Sequence, residues 1–432
     1  MLSILFEHIL KNFRYVDYQN VYGGITVEES PLISIIISTR NRHKYAISAI
    51  TSILGISAND LELVVYDNSD SKELKKYIQN NIKDTRLRYK YISSPSPMTL
   101  NWDAAVGLAS GKYICIIGDD DGINPEIIEA TRWADMNNVG ALKPTICVKY
   151  IWPESGVSSI RFTGNISQTG ILEIGSFSGN IIKPDPEMEL KKVIQGGGFR
   201  YLETEIPRLY HGIVKRKYLN EVREKTGAFF GGLSPDIFSA MAVANFAENV
   251  VSIDYPLTIA GISRSSFSAQ SARGEHVGNL KDAPHLQYRS NYEWAEVVPQ
   301  FYSVQTIWAD SAVAALEALE RNDILKDFNL PLLAAYCVAA HPKYTSIVLR
   351  DMYKYFQKNN LNQFAGTLRF CYSLLIGPGL GLVKLIAKGF RRILLSKDKE
   401  TRFSGVRDIV EATNILTDYL RKNNKRFLDF VP

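Results

Sequence analysis

Three segments of this chain are dominated by apolar residues: LISIIIS (Leu32–Ser38), a continuous run, LELVVYD (Leu61–Asp67) and KYICIIG (Lys112–Gly118). A strand with one wet face alternates apolar and polar residues. An unbroken run rich in β-branched side chains must instead be covered on both faces, which is the lot of central strands in a sheet flanked by helices. The stretches between them supply the cover. Lys44–Leu54 and Met98–Ala109 read as amphipathic helices, LRYKYIS (Leu87–Ser93) as a further alternating strand, and Pro125 suits the first position of a helix. This order predicts an α/β class with a mixed, mostly parallel sheet.

In such sheets, ligands bind beyond the carboxyl ends of the strands. Here those ends carry Thr39-Arg40-Asn41, Asp67-Asn68-Ser69-Asp70 and Asp119-Asp120-Asp121, so the polar chemistry collects at one edge. Three adjacent carboxylates repel one another and resist burial. They could face a hard divalent ion, which takes oxygen ligands and commonly shares them with a phosphate, or form a solvated turn capping the helix that follows Pro125. Three residues in a row allow two to enter one cleft while the third bonds backbone or a neighbouring helix. Neither a G-x-G-x-x-G nor a G-x-x-x-x-G-K-[ST] motif is present. A bound nucleotide would therefore lie against Thr39-Arg40-Asn41 and Asp67, whose carboxylate can accept from a base N–H or a ribose hydroxyl.

Taken together, SIIISTRNR, ELVVYDNSDS and NWDAAVGLASGKYICIIGDDDGINP resemble the nucleotide-sugar half of the GT-A-fold glycosyltransferases of family 2. The likeness is strong over 31–130 and looser to about residue 274. It departs at Gly118, where many members carry the first Asp of a D-x-D motif, and in an acidic loop one residue shorter. The resemblance implies a Rossmann-like GT-A domain and places Thr39, Arg40 and Asn41 at the nucleotide, with Asp67 reading the base and Ser69 supporting its loop. It implies Asp120 as main ligand of Mn2+ or Mg2+, with Asp119 at the ribose or in the metal shell and Asp121 structural. It also calls for a general base at a helix start. Ser234-Pro235-Asp236 supplies one in Asp236, where the helix dipole favours the ionised form; the same residue could be an ordinary first-turn charge. A single displacement at the anomeric carbon would invert it. His211 is a further candidate for the metal shell, or a structural histidine. Arg208, Arg264, Arg273 and His276 are candidates to hold a diphosphate from loops, or solvated loop charges; Arg264 and Arg273 lie in the serine-rich tract 263–274.

Along the rest of the chain, LKPTICVKYIW and SSIRFTG read as strands, Gly196–Arg200 as a loop, Tyr210–Val214 and Val250–Tyr255 as strands, and Ser234–Ala247 as a helix. The pattern is helical beyond about residue 288. The expected organisation is an N-terminal helical extension (1–30), a GT-A domain (31–287, with nucleotide-sugar half 31–130 and acceptor half 140–287) and an all-helical C-terminal region (288–432). Residues 380–397 hold Lys384, Lys388, Arg391 and Arg392 on one helical face and Leu382, Ile386, Phe390, Ile393 and Leu394 on another. That suits a helix lying on an anionic membrane surface, or one packed on the second region. A formal net charge of +5 with no basic repeat argues against nucleic acid. Four dispersed cysteines and no signal-peptide pattern indicate a reduced, cytoplasmic protein, at the inner membrane face if 380–397 binds lipid.

The function implied is an inverting, metal-dependent transfer from a nucleotide-diphosphate sugar, UDP-sugars favoured, to a hydroxyl of a glycan or lipid-linked glycan in bacterial-type capsule or O-antigen assembly. The alternatives are a nucleotidyl- or polyol-phosphate transferase on the same fold, or a degenerate carbohydrate-binding scaffold.

Overall fold

A computed structural model describes residues 30–156, 169–266, 270, 274–289, 291–376 and 401–432. The N-terminal extension, SSIRFTG, Arg273 and the amphipathic stretch 380–397 lie outside the described residues.

The expected mixed, mostly parallel α/β architecture is present. β1 (Ile33–Thr39), β2 (Leu61–Asp67), β3 (Leu87–Tyr91) and β4 (Tyr113–Ile117) run parallel in the order β3-β2-β1-β4. Ile213–Lys215 joins β4 antiparallel, and Ala141–Pro144, Val250–Ile253 and Ile181–Ile182 complete an eight-stranded sheet. The physical reason for the apolar runs is as anticipated. β2 is buried along its whole length, and Ile33, Ile35, Ile36 and Ile37 of β1 are fully buried. Odd-numbered isoleucines of β1 face one core, with helix His43–Leu54, while Ile36 faces another, with helix Met98–Leu108.

The chain leaves β1 for β2 and β3 on one side, then returns to β4 on the other. The sheet's topological switch point thus lies between β1 and β4, where a crevice opens between diverging loops. Its two rims are Thr39 and Asp119.

A second sheet has five strands. It includes Gly122–Ile123, Val148–Ile151, Gly170–Ile174 and Thr258–Ile262. Two local readings shift here. The stretch Leu142–Trp152 is two strands that serve different sheets. Pro125 stands two residues ahead of its helix, Ile127–Met136, because Gly122–Ile123 first pairs with Thr258–Ile259.

The C-terminal region is helical: Val304–Ala318, Leu330–Ala340 and Thr345–Lys358 bury Leu333, Val348, Met352 and Phe356 around Phe301. It also holds strand segments. Thr401–Val406 adds an edge strand to the five-stranded sheet, and Ile409–Lys422 sets Ile409, Ala412, Leu416 and Leu420 into the core beside helix His43–Leu54. Residues 31–432 consequently form one compact unit. No helix among the described residues is long and apolar enough to cross a membrane. Cys115 and Cys337 are buried, Cys147 is half-buried and Cys371 is exposed; all four are free thiols.

Candidate active site

A cavity of about 750 Å³ opens at the switch point. Thr39, Arg42, Asn68 and Asp119–Asp121 line one side, and Tyr201, Arg208 and Asp236 line another.

The three aspartates divide their work. Asp121 is committed to the fold. Its Oδ2 accepts from the Gly118 N–H at 2.6 Å and the Tyr210 hydroxyl at 2.8 Å and lies 3.2 Å from His211 Nε2; its Oδ1 accepts from the Gly261 N–H at 2.6 Å. Burial works to raise its pKa, and His211, the Gly261 N–H and the Tyr210 hydroxyl outweigh it, so the carboxyl titrates below its usual range. Asp119 accepts from the Thr39 hydroxyl at 2.6 Å, tying β1 to β4 across the crevice. Asp120 accepts from Ser263, by N–H at 3.1 Å and by hydroxyl at 2.6 Å, and its carbonyl takes the Trp152 indole N–H at 2.9 Å. Burial, only partly offset by Arg42, raises the pKa of both.

Arg42 was not singled out in the sequence, yet it joins this cluster. Its Nε is 2.8 Å from Asp119 Oδ1 and a terminal nitrogen is 2.9 Å from Asp120 Oδ2. The cause is Asn41, whose φ of 57° puts it in the left-handed region that asparagine tolerates. Past this turn Arg42 lies against the aspartates, while Arg40, also at the cavity, reaches Asp70 and Tyr288, each at 3.4 Å. Sequence alone does not separate the two arginines of TRNR.

Asn41 and Ser69 act as bracing. Asn41 exchanges hydrogen bonds with Asp70 at 2.7 and 2.9 Å, and its N–H donates to the Ser69 hydroxyl at 2.8 Å. Asp67 is fully buried, accepting from the Ser69 N–H at 2.9 Å and the Tyr89 hydroxyl at 2.6 Å. The residue of this loop that lines the cavity is Asn68, 1% exposed, whose amide oxygen and nitrogen both lack a protein partner. A buried, unpaired amide at a cavity wall is suited to a ligand's hydrogen-bonding edge.

On the far wall, Asp236 starts helix Pro235–Ala244. Its Oδ2 accepts from the Tyr201 hydroxyl at 2.6 Å, and its Oδ1 accepts from the Ser234 hydroxyl. The loop before it is held from the C-terminal region: Ser311 Oγ accepts the N–H groups of Leu233 at 3.0 Å and Ser234 at 2.9 Å. Arg208 lines the cavity between the two walls. Burial lowers its pKa against the opposing pull of Tyr201, Glu205 and Asp236, and its Nε has no hydrogen-bond partner. His276 also lines the cavity, beside His285 at 5.2 Å between rings. Arg264 is exposed at the end of the second sheet.

The expectation of a divalent cation on Asp120, Asp119 and His211 meets a set that does not fit one in this arrangement. Three of the four carboxylate oxygens of Asp119 and Asp120 are engaged by Thr39, Arg42 and Ser263. Both ring nitrogens of His211 are engaged as well, by Asp121 and, at 2.9 Å, by the Thr258 hydroxyl. Among the described residues no group of three or more His, Cys, Asp or Glu side chains is placed to hold a metal.

Comparison with known proteins bears on this crevice. Residues 34–134 match the model of Glycosyl transferase family 2. The chain is 33% identical over 101 residues to the Escherichia coli (strain K12) glycosyl transferase WcaA, assigned to colanic acid biosynthesis, covering 23% of this chain and 36% of that protein. It is 33% identical over 96 residues to the GalNAc(5)-diNAcBac-PP-undecaprenol beta-1,3-glucosyltransferase of Campylobacter jejuni, covering 21% of this chain and 30% of that protein. The matched stretches thus span about a third of these curated relatives. Among solved structures, S. aureus TarS 1–349 in complex with UDP-GlcNAc aligns over 76% of this chain and 92% of its own, at 15% identity and a TM-score of 0.41. The matched segment runs from β1 through the aspartates to the helix behind them, and over it this chain is similar to glycosyltransferase family 2.

Proposed function

We propose that the chain transfers a sugar from a nucleoside-diphosphate donor to a hydroxyl of a glycan or lipid-linked glycan acceptor, with inversion. The observation that carries this is one cavity shared by the strand-end loops of the switch point and by a carboxylate at a helix start on the facing wall. Donors bind at such switch points. Asn68 would meet the base, with Thr39 and Arg40 beside the nucleoside, Arg208 would face the diphosphate, and Asp236 would act on the acceptor.

In the reaction, the acceptor oxygen forms a bond to the anomeric carbon as the bond from that carbon to the phosphate oxygen breaks. The diphosphate leaves with the electron pair, and Asp236 takes the acceptor's proton. Tyr201 and Ser234 donate to Asp236 and hold it in place. Surface-polysaccharide or lipid-linked acceptors are favoured because the names of two relatives point to colanic acid and to an undecaprenol-linked glycan. UDP-sugars are the first donors to try.

The test is a thermal-shift panel of UDP, GDP, CDP and dTDP, in EDTA and in Mn2+, followed by transfer assays with the matching sugar nucleotide. A ligand that binds only the folded state raises its melting temperature. Asp236→Asn should retain the nucleotide shift and lose transfer by about 10²–10⁴-fold. Undiminished transfer in that variant would remove Asp236 as the base, and no shift with any nucleotide would favour the carbohydrate-binding scaffold.

A further inference from the structure

Arg42 occupies the place a cation would take between Asp119 and Asp120. Its guanidinium touches one oxygen of each, the two carboxylates a shared ion would bridge, and also donates to the Ser263 hydroxyl at 2.8 Å. The placement is built from several sides. Asn41 turns the side chain inward through its positive φ, and the Tyr45 ring lies 5.2 Å from the guanidinium carbon. Ser263, just past the strand Thr258–Ile262, fixes Asp120. Gly261 lets the two backbones close, since a Cβ there would fall 1.9 Å from the Asp120 carbonyl oxygen.

The side chain keeps 19% of its surface open and lines the cavity. A guanidinium carries five N–H donors in a planar fork, so one edge can bridge carboxylates while another meets phosphate oxygens.

We infer that Arg42 is the resident counter-cation of this site: it keeps divalent metal off Asp119 and Asp120 and itself meets the donor's diphosphate. Its exclusion of metal stands on the ion-pair geometry alone. Its role toward diphosphate rests on the donor reading proposed above. A divalent ion approaching the two aspartates meets a fixed positive charge, and two of their oxygens, Asp119 Oδ2 and Asp120 Oδ2, already accept hydrogen bonds from Thr39 and Ser263. Asp121 cannot substitute, since both of its oxygens serve Gly118, Tyr210, His211 and Gly261.

The experiment is an electron paramagnetic resonance titration of the full chain with Mn2+ alone, no nucleotide present. Wild type should leave the free-ion signal nearly undiminished. Arg42→Ala, which frees the carboxylate pair, should bind Mn2+ at least about tenfold more tightly, while Arg42→Lys, which keeps a positive charge, should not. Mn2+ binding in wild type as tight as in Arg42→Ala overturns the inference.

Calorimetry with UDP on wild type gives a second reading that needs no variant, should Arg42→Ala fail to fold. Affinities in EDTA and in Mn2+ should agree within about threefold. UDP binding only with Mn2+ overturns the inference. Should none of UDP, GDP, CDP and dTDP bind in either buffer, the donor reading fails, and the Mn2+ titration alone decides whether Arg42 excludes metal.

Discussion

Asp121→Asn isolates what the third aspartate does for the fold. The substitution keeps size and shape, so no cavity opens, and the whole effect is electrostatic. Asp121 is buried, accepts from two backbone N–H groups and the Tyr210 hydroxyl, and faces the buried His211. Asparagine keeps a single acceptor. Its best orientation leaves the carbonyl toward Gly118, Tyr210 and His211 and turns the amide nitrogen against the Gly261 N–H. One charge-assisted bond is then lost, worth about 1.5–3 kcal/mol, and one buried N–H is left unsatisfied, costing about 1–3 kcal/mol. The expected loss is about 3–5 kcal/mol, the range for breaking a buried ion pair and a large part of a typical domain's stability.

Urea unfolding followed by tryptophan fluorescence measures this, with Trp102 reporting beside Tyr210 at 5.7 Å between rings. The sign with pH is definite. A carboxyl held below its ordinary pKa contributes stability that is present above the unfolded value, about 3.9, and is lost as pH falls through the folded value. The gap between wild type and Asp121→Asn should therefore be full at neutral pH and shrink in acid. Asp70→Asn, at an exposed carboxylate, should leave the unfolding midpoint close to that of wild type. A loss below about 1 kcal/mol at neutral pH in Asp121→Asn would refute the assignment of Asp121 to the fold.

Ser311→Ala should cost about 2–6 kcal/mol by stranding two buried N–H groups, and should lower transfer as well, because it releases the loop that aims Asp236; unchanged transfer with a lowered melting temperature would limit Ser311 to stability. Asn68→Ala should leave stability within about 0.5 kcal/mol, since its amide has no protein partner to lose, yet weaken nucleotide binding about tenfold by calorimetry; equal affinity would place the base elsewhere. Gly261→Ala should destabilise by about 1–3 kcal/mol or more in the same urea assay, since its methyl would overlap the Asp120 carbonyl; a neutral result would mean that the two backbones lie further apart.

What the sequence determined alone was local. The apolar runs place β1, β2 and β4 to within a residue or so, since a strand covered on both faces leaves an unbroken hydrophobic signature. They therefore also place Thr39, Asn68 and Asp119–Asp121 at strand ends, and Pro235 marks the start of the helix whose first turn holds Asp236. What tertiary structure decided was which of these groups meet. Asn41 chooses between Arg40 and Arg42 by a backbone angle that the letters TRNR do not display. Asp120 is held by Ser263, 143 residues away, and the loop before Asp236 by Ser311, 77 residues from Ser234. The edge strand Thr401–Val406 returns to the α/β body across more than two hundred residues. Such contacts leave no periodic trace, because a serine on a buried helix face or a glycine where two backbones close reads like any other until the sheets pack. Hydrophobic spacing sets the elements, and polar satisfaction in the assembled core assigns each aspartate its partner.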